Sequence, residues 1–372
     1  MKKEKSKGDL PVILIAFKEG GENGGPYTSH KRILNSINSD KYQLKPFFFP
    51  RSRVIFSPKG LKNLVKQIKA EDAVGMHIVG LQLEGFVAMI VCKLAKIKIL
   101  LAIHGSEAET TNLNRIKKSL LSILEYFTVK NSDIVYGVSD YVCNWPICEY
   151  SKHMIGTIYN LPPLKKDCYL KSNLRKELGI KDDEVVVVST GRIVKEKGFD
   201  ILTDVIRKFS SKDNLSFIIA GDGDYKKEME CIISKSEMKE KVHFLGYRKD
   251  INNILSSSDI FIICTKHETL CMSLQEAGIN GLPLIATNVG GIPEVFDESC
   301  GFLIENLDID GFANAIKTLK DNKDMRVRMG INAKNKIMSD FDPEVILSKL
   351  NKAYLMLIDN DKTIRRCYKC TK

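Results

Sequence analysis

The chain has 372 residues and a mass of 41.9 kDa, with 44% hydrophobic and 28% charged residues. That balance predicts about two globular domains and excludes a mini-protein, a collagen-like chain or a largely disordered one. The formal net charge of +11 is uneven, since residues 1–170 hold 25 Lys/Arg against 15 Asp/Glu, whereas residues 171–372 hold 32 against 31.

Leu10 to Phe17 is an apolar run of strand length, followed by the glycine-rich stretch Gly20 to Gly25 and a helical segment over Thr28 to Ile37. Further strands are expected at Leu44–Phe49, Ala73–Val79, Ile97–Ile103 and Ile134–Val138, with helices near Lys59–Lys69, Gly85–Leu94 and Leu113–Thr128. The most apolar region, Phe86 to Ile103, carries Lys93, Lys96 and Lys98, each costly at a bilayer centre, so it reads as a buried segment and not a membrane span. Tyr159 to Leu164, with two prolines, breaks the alternation, and the polar run up to Lys176 reads as a linker. A second alternating unit follows, with strands at Val185–Ser189, Ser216–Ala220, Val242–Leu245, Ile260–Cys264 and Pro283–Thr287 and a helix at Gly198–Phe209. A helix over Pro343–Ile358 closes the pattern. This alternation predicts an α/β fold of two doubly wound parallel sheets. The expected division is 1–168, 169–342, a helix within 343–360 packing back on the first domain, and a basic tail over 361–372. Ligands on such sheets bind outside the carboxyl ends of the strands, so the polar residues at strand ends are the site candidates, lining a cleft where the two domains face each other.

Three strand-end segments carry chemistry. Gly20 to Gly25 offers backbone N–H groups to a phosphate, or is simply a tight turn; it fits neither a dinucleotide fingerprint nor a P-loop. Gly191 to Gly198 joins a buried strand to a helix and puts Arg192 and Lys197 at the sheet edge, where a planar guanidinium and a compact ammonium suit a diphosphate; a solvated basic loop is the alternative. In His267 to Gly278, Glu268 and Glu276 lie eight positions apart. With a helix starting near Met272, both carboxylates can accept hydrogen bonds from sugar or ribose hydroxyls while the helix amides meet phosphate.

In this order the motifs resemble the family 4 retaining glycosyltransferases of the two-Rossmann-domain (GT-B) architecture over nearly the whole chain. The resemblance rests on Gly24-Gly25, His104-Gly105, Ser139, Asn160, Gly191-Arg192 with Lys197-Gly198, and Gly221-Asp222-Gly223. It continues through Phe244-Leu245-Gly246, Glu268-x7-Glu276-Ala277 and Gly290-Gly291-Ile292-Pro293-Glu294. It implies that Arg192 and Lys197 bind the diphosphate of a nucleotide-sugar donor, Glu276 its ribose, and Glu268 the transferred sugar. His104 would sit near the sugar and β-phosphate, and Gly24 and Gly25 would close over the phosphates. Gly191, Gly221 and the backbone at Cys271, Met272 and Ser273 complete the implied donor site, with His104, Arg192, Lys197 and Glu268 as the catalytic set. Two positions depart from the family pattern. Thr269-Leu270-Cys271 stands where the family has Gly-Phe-Gly, and His267 stands at a usually small or polar position.

The expectation is therefore a hexosyltransferase using a UDP-sugar and needing no metal or other cofactor. A glycan or lipid-linked acceptor of surface polysaccharide, lipopolysaccharide or glycolipid assembly is its partner. A nucleotide-sugar epimerase, a phosphorylase, and a partner subunit without turnover are the alternatives within the architecture. Asp222-Gly223-Asp224 resembles a metal-binding Asp-x-Asp but sits where a strand-to-helix turn is expected, and Cys367-x-x-Cys370 is not accompanied by a second ligand pair. The remaining histidines, 30, 77, 153, 243 and 267, read as surface or core residues. The basic pI suggests no nucleic-acid partner, because no recognition motif accompanies it. Scattered cysteines and a Lys- and Glu-rich start without an apolar leader predict a cytosolic chain with reduced thiols. The basic first half, with amphipathic helices Lys59–Lys69 and Leu113–Thr128, predicts peripheral association with an anionic membrane surface.

Overall fold

The computed structural model describes residues 10–20, 24–50, 57–81, 83–106, 114–163 and 173–359. The middle of the glycine-rich stretch, part of the linker, and the basic tail with Cys367 and Cys370 lie outside the described residues. The chain divides into two compact units, residues 1–161 with 343–372, and residues 162–342.

In the first unit, strands β1 (Val12–Lys18), β2 (Gln43–Phe49), β3 (Ala73–Val79), β4 (Lys98–Ile103), β5 (Ile134–Gly137) and β6 (Met154–Thr157) form one parallel sheet in the order β2-β1-β3-β4-β5-β6. Helices α1 (Gly25–Ser36), α2 (Pro58–Ala70), α3 (Leu83–Ala95), α4 (Arg115–Asn131) and the single turn α5 (Asp140–Cys143) connect them. The sequence sets their starts: Pro26 occupies the first turn of α1, while the side chains of Ser57 and Asn114 accept hydrogen bonds from the N–H groups of Gly60 and Lys117.

The second unit begins with the short α6 (Leu174–Glu177). Its sheet comprises β7 (Val185–Thr190), β8 (Leu215–Ala220), β9 (Val242–Gly246), β10 (Ile260–Ile263), β11 (Leu284–Thr287) and β12 (Gly301–Ile304). The order is β12-β11-β10-β7-β8-β9, again all parallel. Val185 to Val188 are buried on both faces of β7, and each such side chain contributes roughly 1.5–3 kcal/mol. Helices α7 (Phe199–Ile206), α8 (Lys226–Ile233), α9 (Ile251–Ser256), α10 (Met272–Ile279), the turn α11 (Ile292–Val295), α12 (Ile309–Asp321) and α13 (Lys323–Asp340) cover this sheet. The chain then returns to the first unit as α14 (Pro343–Ile358), which packs on β3 and β4.

The strand expectations match the sheets closely, and two edge strands, β6 and β12, stand outside them. Each is only four residues long and mostly half-buried, too short for its apolar residues to declare a strand. α7 starts one residue later than expected because Gly198 adopts a left-handed φ of 71° that stops the helix from extending backwards. α1 starts at Gly25 and not Thr28 because Pro26 already supplies a helical φ.

Candidate active site

In each sheet the strand order reverses once, which is where a crevice opens at the carboxyl edge of a doubly wound sheet. In the second unit the reversal lies between β10 and β7. The loops leaving these strands, 191–198 and 264–271, hold the sequence candidates Arg192, Lys197, Glu268 and Cys271.

Contacts between backbones fix the two loops together. A Cβ on Gly198 would lie 1.6 Å from the carbonyl oxygen of Cys264, so only glycine admits this approach. The Lys266 N–H donates to Glu196 O (3.1 Å), and the Lys266 ammonium pairs with Asp200 at 2.5 Å. Across this junction Lys197 Nζ meets Glu268 Oε2 at 2.6 Å, with side chains only 21% and 14% exposed. Burial by itself would lower the Lys197 ammonium, but the Glu268 carboxylate outweighs it and raises the group above its ordinary value. Lys197 therefore stays charged at any physiological pH. Two candidates assigned separate tasks by the sequence are thus each other's partner in the free protein.

The neighbouring loops join the same edge. A Cβ on Gly221 would lie 1.8 Å from Gly191 O, and the Ile193 N–H donates to Asp222 O at 2.9 Å. From the loop after β11, the Gly291 N–H donates to Glu268 O at 3.1 Å, which holds the backbone of that glutamate. Arg192 is exposed beside this assembly, and among the described residues its guanidinium makes no hydrogen bond or ion pair. α10 begins after Cys271, whose side chain does not cap the helix; Met272, Ser273 and Glu276 are half-buried on it. Burial pushes the Cys271 thiol up to about 12, so it remains neutral, and its Sγ lies 3.2 Å from Ser273 Oγ.

The sequence candidates from the first unit occupy that unit's own carboxyl edge. Gly24 precedes α1, where its carbonyl accepts the Thr28 N–H (3.0 Å). A methyl group added at Gly24 would meet nothing but Pro26 within 4 Å, and the backbone of Gly24 and Gly25 is exposed. His104 follows β4, and burial, with His30 nearby, pushes it down to about 3. At neutral pH it offers hydrogen bonds and no net charge. His30 and His77 belong to the same interior. Their rings lie 4.4 Å apart, His30 Nδ1 donates to Ala16 O at 2.8 Å, and His77 sits between the hydroxyls of Tyr354 (2.8 Å) and Tyr136 (2.9 Å).

Three features were not legible as site features. Lys266 and Gly291 organise the Glu268 loop; a strand-end position is the one signal that marks Lys266, whereas Gly291 stands in the Gly290-to-Glu294 motif, which gave it no role in the site. Gln275 is fully buried on α10, with both amide atoms lacking a partner among the described residues. Its signal is a polar residue on an otherwise apolar helix face. Asp222 is exposed, and its Oδ1 accepts the adjacent Gly223 N–H at 2.9 Å, the geometry of a polar turn. Among the described residues no three His, Cys, Asp or Glu side chains converge as metal ligands would.

Comparison with known proteins finds a family model, relatives and solved structures to which the chain is similar. Residues 171–336 match the family model of glycosyl transferases group 1. The chain is 28% identical over 340 residues to a UDP-Gal:alpha-D-GlcNAc-diphosphoundecaprenol alpha-1,3-galactosyltransferase of Escherichia coli, covering 85% of each protein. It is 27% identical over 274 residues to an N-acetyl-alpha-D-glucosaminyl L-malate synthase of Bacillus anthracis, covering 72% of this chain and 70% of that one. Among solved structures, sucrose-phosphate synthase from Thermosynechococcus elongatus superposes with a TM-score of 0.79 at 17% identity, over 94% of this chain and 99% of that one. HepE of Anabaena in complex with UDP and glucose superposes with 0.74 at 19%, over 93% and 100%.

Proposed function

We propose that this chain, whose residues 171–336 match the model of glycosyl transferases group 1 and whose fold is GT-B, is a retaining hexosyltransferase of family 4. In this proposal it moves a sugar from a UDP-sugar to a glycan or lipid-linked acceptor in surface polysaccharide, lipopolysaccharide or glycolipid assembly. The observation that carries the proposal is the joined pair of loops at the strand-order reversal, with Lys197 and Glu268 in contact and Arg192 open beside them. A diphosphate drawn to Arg192 and Lys197 takes over the ammonium and releases the Glu268 carboxylate toward sugar hydroxyls. One group then answers two parts of the same donor. The E. coli relative names a UDP-sugar donor and a diphosphoundecaprenol-linked acceptor, which supports both classes here.

The same charges explain turnover. As the sugar–phosphate bond breaks, negative charge grows on the leaving diphosphate, and Arg192 and Lys197 steady it. The departing phosphate takes the acceptor hydroxyl's proton on the face it leaves, so the acceptor enters on that face and configuration is kept. Two cations at the loops and the uncapped amides of α10 supply the charge a divalent metal would otherwise bring, so no cofactor is needed in this scheme.

The experiment is a panel of UDP-, GDP- and ADP-sugars, read as thermal shift and as nucleoside diphosphate release without acceptor. Selective stabilisation and slow hydrolysis with one UDP-sugar is the expected result. Stabilisation without any release or transfer would indicate a binding subunit, and epimerised donor a nucleotide-sugar epimerase.

A further inference from the structure

The two loops joined at the strand-order reversal of the second unit carry two ion pairs whose charges alternate. The segment after β7 presents Lys197 and, in the first turn of α7, Asp200, while the loop after β10 presents Lys266 and Glu268. Lys197 pairs with Glu268 and Asp200 with Lys266, so a cation and an anion of each segment meet the opposite charges of the other. Because the partners run in opposite order along the chain, Asp200–Lys266 lies at the root of the 264–271 loop and Lys197–Glu268 nearer its tip. Sliding one segment past the other would set Lys197 against Lys266 and Asp200 against Glu268, so the four charges also fix the register. The root pair is half-buried, with Lys266 34% and Asp200 29% exposed, and the second carboxylate oxygen of Asp200 is buried without a partner among the described residues. Lys266 thus makes the one ion pair of Asp200 among those residues. The backbone supports the same root, since the Thr265 hydroxyl donates to His267 O at 2.9 Å beside the Lys266 N–H bond to Glu196 O.

The two pairs meet different fates when a donor arrives. In the proposed function the diphosphate takes the Lys197 ammonium and Glu268 turns to the sugar, so the tip pair opens at the moment the Glu268 carboxylate has to be placed. Lys266 is the neighbouring cation, and an anion that draws Lys197 draws it too, unless another anion already holds it. We propose that Asp200 and Lys266 are positioning residues: their ion pair holds the root of the 264–271 loop while the Lys197–Glu268 pair opens at its tip, and Asp200 withholds Lys266 from the diphosphate. Glu268 then loses its side-chain partner while its backbone stays on the Gly291 N–H. A misplacement of about 1 Å at a reacting centre costs on the order of a hundredfold in rate, so the root pair acts on turnover more than on nucleotide binding. This deepens the proposed transferase reading and rests on it.

Three readouts on the full chain separate positioning from binding and from fold. They are UDP affinity by calorimetry in EDTA, UDP release from UDP-glucose, UDP-galactose or UDP-N-acetylglucosamine without acceptor, and amide hydrogen exchange over residues 264–271 in the donor-free protein. Lys266→Met keeps the length of the side chain and removes its charge, and Asp200→Asn removes the opposite charge at nearly constant shape. Each should lower UDP release at least about tenfold and speed exchange over 264–271. UDP affinity should stay within about twofold of wild type in Lys266→Met and be no weaker than wild type in Asp200→Asn, because Arg192 and Lys197 remain. Lys266→Arg should keep most of the turnover, and Asp200→Lys combined with Lys266→Asp should recover more than either reversal alone. A loss of UDP affinity in Lys266→Met as large as its loss of turnover would make Lys266 a phosphate ligand and overturn the proposal. So would turnover and exchange unchanged in both single variants. A wild type that releases UDP from none of these sugars would fail the transferase reading, and the hold of the pair on its loop then stands or falls with the exchange alone.

Discussion

In the free protein the Lys197 ammonium and the Glu268 carboxylate satisfy each other in a partly dry setting, which separates them from the exposed Arg192 in how a substitution acts. Arg192→Ala removes a charge that holds nothing in place, so stability should change by no more than about 0.5 kcal/mol while turnover falls about a hundredfold or more. Lys197→Ala should lose turnover similarly and also lose on the order of 1–2 kcal/mol of stability, because Glu268 is left half-buried without its partner. Near wild-type transfer by both variants would remove the phosphate assignment. The glycines give a second contrast. Gly198→Ala drives a methyl into the Cys264 carbonyl and should lower the melting temperature by several degrees, whereas a methyl on Gly105 meets nothing within 4 Å and should be tolerated. Equal melting of these two variants would show that the loops are not held by that close approach.

At the scale of elements, α14 is an integral part of the first unit. Tyr354 bonds to His77, and a Cβ on Gly75 of β3 would strike Leu357 at 2.5 Å. The histidines beneath it are held neutral: burial lowers His30 to about 4 and His104 to about 3, and drives His77 well below its ordinary value. Since these folded-state values lie under the ordinary 6.5, the unfolded chain takes up protons first as pH falls. The contribution to stability is complete above about pH 6.5 and is lost progressively from there toward about pH 3. A melting series from about pH 7.5 to about pH 4 should show this decline, on the order of a few kcal/mol, and His30→Gln should flatten it. A flat profile in the wild type would mean the imidazoles are not dry. This network also marks the limit of the sequence. Long apolar runs such as Leu10–Phe17 and Val185–Ser189 declare central strands directly, because both faces are buried. By contrast, His77 and Tyr354 stand 277 positions apart, and no local signal says that the two will meet. α13 is silent in the sequence for a related reason, since mostly polar residues cover it and only Gly330, Ala333 and Ile337 are buried.

For the whole molecule, the strand-end glycines, cations and carboxylates were readable because each loop must follow its own strand, whereas the Lys197–Glu268 contact depends on β10 returning beside β7, which spacing does not encode. The uneven charge follows the division into units: residues 1–161 with 343–372 hold 30 Lys/Arg against 17 Asp/Glu, while residues 162–342, which hold the loops proposed for the donor, have 27 against 29. Among the described residues no helix is long and apolar enough to cross a membrane. In the proposed function, fixed protein cations at the strand-order reversal of the second unit hold a nucleotide diphosphate without a metal. Titration calorimetry of UDP into the wild type and Arg192→Ala, both in EDTA, tests it most directly. The expected result is binding by the wild type and at least about tenfold weaker binding by the variant. Equal affinity in both, or binding by the wild type that appears only when Mg²⁺ or Mn²⁺ is restored, would contradict it.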